Sequence, residues 1–225
     1  GEQRQATSVD CASLCRQDGA VIRNIVFDFG NVLYDLDEAK TEGLLREVLD
    51  PLKCRDLEEL VLHPYERGEC SEEAFINRLQ RRPHTPLDGS YYLHAWNAML
   101  LGIPPHRLAM LDQLRKRYAL YLLSNINRSH LIVLRRQLEA MPEACDFERR
   151  YFDGVFYSCE IGHRKPEPEC FHHVLSHAGI LAGESLFIDD RRENIEVARQ
   201  LGFRVHRHDP ATEIGDSILN LVEEP

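Results

Sequence analysis

The sequence predicts an α/β fold, a Rossmann-like parallel sheet with helices on both faces, to which a small helical domain is added. Two features of the chain support this prediction. Short apolar runs alternate with amphipathic helical stretches, and a single helical insertion between residues 37 and 103 interrupts the alternation. Such alternation is typical of parallel strands joined by crossover helices. A chain of 225 residues can bury one core together with a small subdomain.

Five short apolar runs predict the strands of the sheet. The first, residues 21–27, reads VIRNIVF and ends abruptly in a turn-like DFGN. The others are residues 118–123, 154–157, 185–188 and 203–206. Runs that are apolar at nearly every position are expected for parallel strands, because helices cover both of their faces.

Helical patterns occupy the intervals between these runs. They cover residues 106–117, 128–141, 168–178, 192–201 and 212–222. The insertion contains four further amphipathic segments, EAKTEGLLREVLD, CRDLEELVL, SEEAFINRLQRR and LDGSYYLHAWNAMLLG. An insertion directly after the first strand would lie over the carboxyl edge of the sheet, where α/β proteins bind their ligands.

We therefore divide the chain into three parts. Residues 1–20 are a polar leader, residues 20–36 and 104–225 form the catalytic core, and residues 37–103 form a helical cap. The alternative for the insertion is a second helical domain that takes no part in catalysis.

Composition excludes several classes of protein. The net charge of −10 and the pI near 5.6 argue against nucleic acid as a partner, because phosphate backbones select basic surfaces. No apolar run approaches the roughly 20 residues of a membrane span, so we expect no membrane association and a cytoplasmic location. The seven cysteines form no CxxC pair, which disfavours a zinc site or a disulfide framework.

Polar residues that follow the predicted strands carry the chemistry. Asp28 follows the first strand, Ser124-Asn125 the second, and Asp189-Asp190 the fourth, while Lys165 lies in the segment HRKPEP. Phosphoryl transfer to water needs a nucleophile, a counter-charge and positioning groups. Asp28 can attack phosphorus, the paired aspartates can bind Mg²⁺, and Lys165, Ser124 and Asn125 can hold the phosphate.

The motifs FDFGNVLYDLD, ERGECSEEAF, LSNINRSH, RKPEP and FIDDRREN resemble those of the haloacid dehalogenase (HAD) superfamily of hydrolases. The resemblance covers residues 21–202 and extends to the branch with a C1-type cap that contains α-D-glucose-1-phosphate phosphatase. It implies a Mg²⁺-dependent phosphatase acting on a small phosphorylated substrate.

The resemblance also implies a role for each motif residue. Asp28 becomes the nucleophile and a metal ligand, and the Gly30 carbonyl a second ligand. Asp190 is the third ligand, with Asp189 either a ligand or directly behind it. Ser124, Asn125 and Lys165 cradle the phosphate.

Gly30 departs from the usual Asp-x-Asp pattern of HAD phosphatases, in which the second aspartate is the general acid and base. Its loss penalises poor leaving groups, so anomeric phosphates (sugar 1-phosphates) and acyl phosphates become the expected substrates. Asp35 or Asp37 could substitute for the acid, although the cap hinge is the preferred interpretation for both.

Two other functions stay open at this point: a catalytically weak ligand- or partner-binding protein, and a metal-free 2-haloacid dehalogenase. Sequence alone does not assign the substrate or the oligomeric state. Four residues of the insertion are candidates for substrate contact: Arg67, His94, Trp96 and Asn97.

Overall fold

The computed structural model describes residues 21–84 and 86–223, apart from the side chains of residues 219 and 223. The predicted leader, residues 1–20, lies outside this part of the chain. In chain order, the strands are β1 (Asn24–Phe27), β2 (Asp35–Leu36), β3 (Leu100–Gly102), β4 (Ala119–Ser124), β5 (Gly154–Tyr157), β6 (Ser185–Asp189) and β7 (Arg204–Arg207).

Five of these strands form the predicted parallel sheet, in the order β5-β4-β1-β6-β7. The first strand in the chain is therefore the central one. Its last residue, Phe27, pairs with Leu122 of β4 on one side and with Ile188 of β6 on the other. The α/β fold class is confirmed.

The helices alternate with these strands as the sequence predicts. They are α1 (Glu38–Val48), α2 (His63–Glu66), α3 (Glu72–Leu79), α4 (Gly89–Asn97), α5 (Pro105–Leu114), α6 (Arg128–Glu139), α7 (Phe147–Tyr151), α8 (Ser158–Ile161), α9 (Pro168–Ala178), α10 (Arg192–Gln200) and α11 (Ile214–Glu223). A π-helical turn, Glu58–Leu62, runs directly into α2. The short helices α7 and α8 were not predicted, because segments of four or five residues show no readable periodicity.

Alternate residues of each strand bury against the two faces of the sheet. Ile25 and Phe27 enter one hydrophobic cluster, whereas Val26 enters the other. Both faces are thus covered, which explains why the strands are apolar at successive positions. Burial of each such side chain contributes roughly 1.5–3 kcal/mol.

The helices between residues 38 and 97 have a hydrophobic cluster of their own. Leu45, Val61, Tyr65, Phe75 and Trp96 are among its buried members. The stacked rings of Tyr65 and Phe75, with centroids 4.2 Å apart, lie within it. This segment therefore packs as a unit distinct from the sheet.

A two-stranded antiparallel ribbon of β2 and β3 joins this helical unit to the sheet. The prediction that residues 87–102 form a single helix was wrong at its end. Helix α4 stops at Asn97, and Leu100–Gly102 pairs with Asp35–Leu36 instead. Gly102, the last residue of β3, has φ +142°, a conformation that favours glycine.

Other boundaries shift by a few residues. The first strand begins at Asn24 rather than at residue 21, and the helix after β3 ends at Leu114 rather than at 117. No helix within the described residues combines the length and the hydropathy that crossing a bilayer requires.

Candidate active site

The carboxyl ends of the three middle strands bring the predicted residues together. Asp28 directly follows β1, Ser124 ends β4 and Asp189 ends β6. Because β1 lies between β4 and β6 in register, these three positions meet at one edge of the sheet. Lys165 reaches the same place from the segment before α9.

Lys165 is a buried cation of the site, with a side chain that is 1% exposed. Its Nζ donates to Asp28 Oδ1 at 2.6 Å and to Asp189 Oδ2 at 2.7 Å. Burial lowers the pKa of Lys165, but the Asp189 and Asp28 carboxylates raise it by more, so the ammonium stays charged. A buried charge is tolerated only with such partners.

Asp28 lies in a strongly negative setting. Burial raises the pKa of Asp28 to about 7; Lys165 opposes this rise, and repulsion from Asp189 and Asp190 adds to it. Burial and the neighbouring Asp189 also raise the pKa of Asp190. Carboxylate oxygens of the three aspartates lie within 4.8 Å of one another. The single positive charge of Lys165 does not neutralise three carboxylates. Three carboxylates are a ligand set suited to a hard divalent cation such as Mg²⁺.

The two neighbouring aspartates are used differently. Asp189 is fully buried and accepts hydrogen bonds from Lys165, from the Arg191 backbone N–H at 2.8 Å and from Asn194 Nδ2 at 2.9 Å. Asp190 faces the cavity and accepts from Asn31 Nδ2 at 3.3 Å. Asp190 is thus the more accessible candidate metal ligand, and Asp189 anchors the lysine.

Sequence reasoning missed Asn194, which lies 3% exposed in the first turn of α10 and holds both Asp189 oxygens. The available signal was its position in DDRREN, five residues after Asp189, where a helix start turns the side chain back toward the strand end.

Asn125 mainly orients Lys165. Its Oδ1 accepts from the Lys165 backbone N–H, and its Nδ2 donates to the Lys165 carbonyl, both at 2.8 Å. The predicted phosphate contact would have to use the second Nδ2 hydrogen. Ser124 lines the cavity with its buried side chain.

The position of the missing acid is occupied by an apolar side chain. A Cβ added to Gly30 would lie 2.7 Å from Leu36 Cδ1. The candidate substitutes point elsewhere: Asp35 pairs with Arg107 at 2.7 Å, and Asp37 caps α1 by accepting from the Lys40 N–H. Both contacts support the hinge interpretation.

A cavity of about 860 Å³ lies between this edge and the helical unit. Its floor includes Asp28, Ser124, Lys165 and Asp190, and its roof includes Trp96. The other three candidates for substrate contact, Arg67, His94 and Asn97, are not part of its lining.

Two ion pairs join the helical unit to the residues on either side of Lys165. Arg164 Nε lies 2.6 Å from Glu66 Oε2, and Arg67 Nη1 lies 2.9 Å from Glu167 Oε1. Gly68 follows at φ +70°, where a Cβ would lie 2.2 Å from the Cys159 carbonyl oxygen. The end of α2 thus packs closely against α8.

His130 makes a second connection, between α6 and α4. Its ring stacks on Trp96 with centroids 5.0 Å apart, and its Nε2 lies 3.0 Å from the Trp96 carbonyl oxygen. This contact assigns the Nε2–H tautomer, with Nδ1 accepting from Asn127 Nδ2 at 3.2 Å. Burial lowers the pKa of His130 to about 4, so the ring is neutral.

An aspartate held by a buried lysine thus lies at the carboxyl edge of a parallel sheet, beneath a helical unit, where α/β enzymes bind their ligands. The chain belongs to the haloacid dehalogenase-like hydrolase family, whose model matches residues 22–202.

Two kinds of relative agree with this assignment. D-ribitol-5-phosphate phosphatase of Bacteroides thetaiotaomicron is 30% identical over 196 residues, 81% of this chain and 90% of the relative. Among solved structures, a predicted HAD-like family hydrolase from Porphyromonas gingivalis has a TM-score of 0.77 at 30% identity, covering 92% of this chain and 100% of that one. A HAD family enzyme from B. thetaiotaomicron in complex with magnesium and inorganic phosphate has a TM-score of 0.73 at 27% identity, covering 86% and 97%.

Proposed function

We propose that this hydrolase is a Mg²⁺-dependent phosphatase that acts on a small phosphorylated metabolite through an aspartyl-phosphate at Asp28. The observation that carries the proposal is the Asp28–Lys165–Asp189 contact, with Asp190 beside it, at the floor of the cavity. The phosphatase relative and the magnesium–phosphate complex of a structural relative support it.

Asp28, Asp190 and the Gly30 carbonyl would hold the metal, with Asp189 behind them. Mg²⁺ bound there would neutralise the repulsion between a carboxylate nucleophile and a phosphate dianion. Burial is the main cause of the raised pKa of Asp28 and disfavours the ionised carboxylate, which a nearby dication would favour.

The protein groups then carry out two displacements. An Asp28 oxygen forms a bond to phosphorus as the bond to the leaving oxygen breaks, and the alkoxide takes a proton from solvent. Water next attacks the aspartyl-phosphate, releasing inorganic phosphate and restoring the carboxylate. Lys165 balances the charge on the phosphate and on Asp28, and the Ser124 hydroxyl donates to a phosphate oxygen.

The substrate preference we propose follows from Gly30. With Leu36 in the place of an acid, no carboxyl at that position protonates the leaving oxygen. Substrates with more acidic leaving groups are favoured, which include sugar 1-phosphates and acyl phosphates. This preference agrees with the resemblance to the α-D-glucose-1-phosphate phosphatase branch.

We further propose that residues 37–103 act as a C1-type cap on a core of residues 20–36 and 104–225. The cavity is lined from both parts, and the ion pairs Arg164–Glu66 and Arg67–Glu167 join them beside Lys165. The cluster of three carboxylates disfavours a metal-free dehalogenase, in which Lys165 would be left to oppose the repulsion of Asp28 without a metal ion.

The test is hydrolysis of 4-nitrophenyl phosphate by the whole chain. Activity should disappear in EDTA and return with Mg²⁺. Asp28→Asn should lower kcat by at least about a hundredfold, while Asp37→Asn, at a capping residue outside the cavity lining, should retain most activity. Retention of a tenth of the rate by folded Asp28→Asn would disprove the nucleophile assignment. Absence of activity in the native chain on any phosphate ester would instead favour a binding protein.

A further inference from the structure

The part of the cavity beyond the phosphate position is formed largely by cap residues. Leu45, Leu49, Leu57 and Trp96 give it an apolar wall. Two carboxylates, Glu42 and Glu58, lie along the same lining. A substrate bound with its phosphate at Asp28 would place its alcohol part here.

The cations of the lining are already paired. Arg164 lies 2.6 Å from Glu66, and Arg191 lies 2.6 Å from Glu38. Arg46 lies 3.7 Å from Glu42 on the outer helix α1, and Lys165 contacts Asp28 and Asp189. Among the described residues that line the cavity, each arginine and lysine therefore has a carboxylate partner.

Acidic side chains also outnumber basic ones. Seven carboxylates line the cavity against four arginines and lysines within the described chain. The Glu58 side chain has no hydrogen-bond or ion-pair partner among these residues and is exposed at the first position of the π-helical turn. The charge of a bound divalent cation would be neutralised by the phosphate and by the cation's aspartate ligands. The cap side of the cavity would therefore remain negative.

We infer that the enzyme selects monophosphates whose remaining part carries no further anionic group, neither a second phosphate nor a free carboxylate. The inference rests on the proposed function, because it takes the phosphate to bind at Asp28 and Lys165. Among the described lining residues, a second anion would find no arginine or lysine without a carboxylate partner, and it would meet Glu58. Juxtaposed like charges are an effective means of excluding a competing ligand.

The experiment compares two non-hydrolysable phosphonates of nearly equal shape, 4-carbamoylbenzylphosphonate and 4-carboxybenzylphosphonate. Titration calorimetry measures their binding to the native protein with saturating Mg²⁺. The uncharged amide should bind at least about tenfold more tightly than the carboxylate. Equal affinities, or tighter binding of the carboxylate, would overturn the inference.

Two matched variants test whether the preference for the amide arises from charge inside the cavity. Glu58→Lys and Glu59→Lys change the net charge equally at adjacent exposed positions, but only Glu58 lines the cavity. Glu58→Lys should reduce the preference for the amide to about twofold or less, and Glu59→Lys should preserve it. An equal reduction in both variants would mean that overall charge sets the preference, which contradicts the inference.

Measuring the hydrolysis of 4-nitrophenyl phosphate as well distinguishes failure of the inferred selectivity from failure of the proposed function. Native protein that hydrolyses 4-nitrophenyl phosphate but binds both phosphonates equally retains the phosphatase assignment and loses the selectivity. Native protein that binds neither phosphonate and hydrolyses no ester refutes both.

Discussion

The Leu36 side chain packs against Gly30, two residues from Asp28, and limits which side chains position 30 can hold. The backbone at Gly30 is outside the left-handed region, so the main obstacle to a side chain is the Leu36 methyl group at 2.7 Å. That atom is the far end of a flexible side chain. An acid at position 30 therefore requires a change at position 36 as well.

The double substitution Gly30→Asp/Leu36→Ala should restore an acid next to the leaving oxygen. We expect kcat/KM for glucose 6-phosphate to rise by up to about 10²-fold relative to Leu36→Ala alone. Hydrolysis of 4-nitrophenyl phosphate should change much less, because its leaving group needs little protonation. Measured native rates that do not vary with leaving-group pKa, with chemistry rate-limiting, would show that another residue supplies the proton.

Position after a strand was sufficient to place Asp28, Ser124 and Asp189 at one edge of the sheet. Lys165 was identified by its motif, although its two contacts depend on chain folding across 137 and 24 residues. Leu36 and His130 could not be identified in this way. Both residues act through contacts with other parts of the chain, Leu36 with Gly30 and His130 with Trp96, and motif spacing does not predict such contacts.

At the scale of elements, the contact of α6 with α4 depends on an uncharged His130. Its pKa is about 4 in the folded protein and about 6.5 when unfolded, so unfolding takes up a proton between these values. The stabilisation is complete above pH 6.5 and is lost as the pH falls toward 4. The loss at pH 4 amounts to about 3 kcal/mol.

Urea unfolding of the native protein and of His130→Leu between pH 4 and 7.5 measures this contribution. The native free energy of unfolding should fall more steeply below pH 6.5 than that of the variant. The difference between the two proteins removes the effects of other titrating groups. Parallel curves would mean that His130 titrates normally in the folded state.

Helix α2 meets α8 at Gly68, where both φ and space require glycine. Gly68→Ala should destabilise the protein by about 1–3 kcal/mol or more, because its Cβ would meet the Cys159 carbonyl oxygen. Gly43→Ala is the matched control, since Gly43 lies in α1 with open space around it and should gain about 0.5–1 kcal/mol. Equal urea midpoints for the two variants would contradict the packing of α2 on α8.

Long periodic elements were predictable, and junctions were not. The strand at residues 154–157 and the helix at 168–178 match their predicted bounds. The helical pattern ends at Gly179, whose left-handed conformation terminates the helix. The β2–β3 ribbon was missed, because its pairing joins residues about 65 positions apart and its strands are two and three residues long. Local sequence contains little information about such a pairing.

At the scale of the whole molecule, the carboxylate cluster links metal binding to stability. Mg²⁺ that binds only the folded chain stabilises it by mass action, and 100 times the Kd should raise Tm by roughly 5–10 °C. Asp190→Asn should reduce this shift at the same Mg²⁺ concentration, whereas Asp216→Asn in α11 should not. Thermal unfolding in Mg²⁺ and in EDTA makes the comparison. Identical Tm values in the two conditions would rule out a metal site at the cluster.

The central place of β1 in the sheet has a consequence for synthesis on the ribosome. β1 needs β6 on one edge, and β6 emerges about 160 residues later, on the order of ten seconds at roughly 5–20 residues per second. The cluster of the helical unit is complete in sequence by Trp96, long before then. During this interval β1 is an apolar strand with an unpaired edge, which is a hazard for association between nascent chains. The helical unit can therefore fold first, and the contact of Asp189 with Lys165 forms only when β6 joins the sheet.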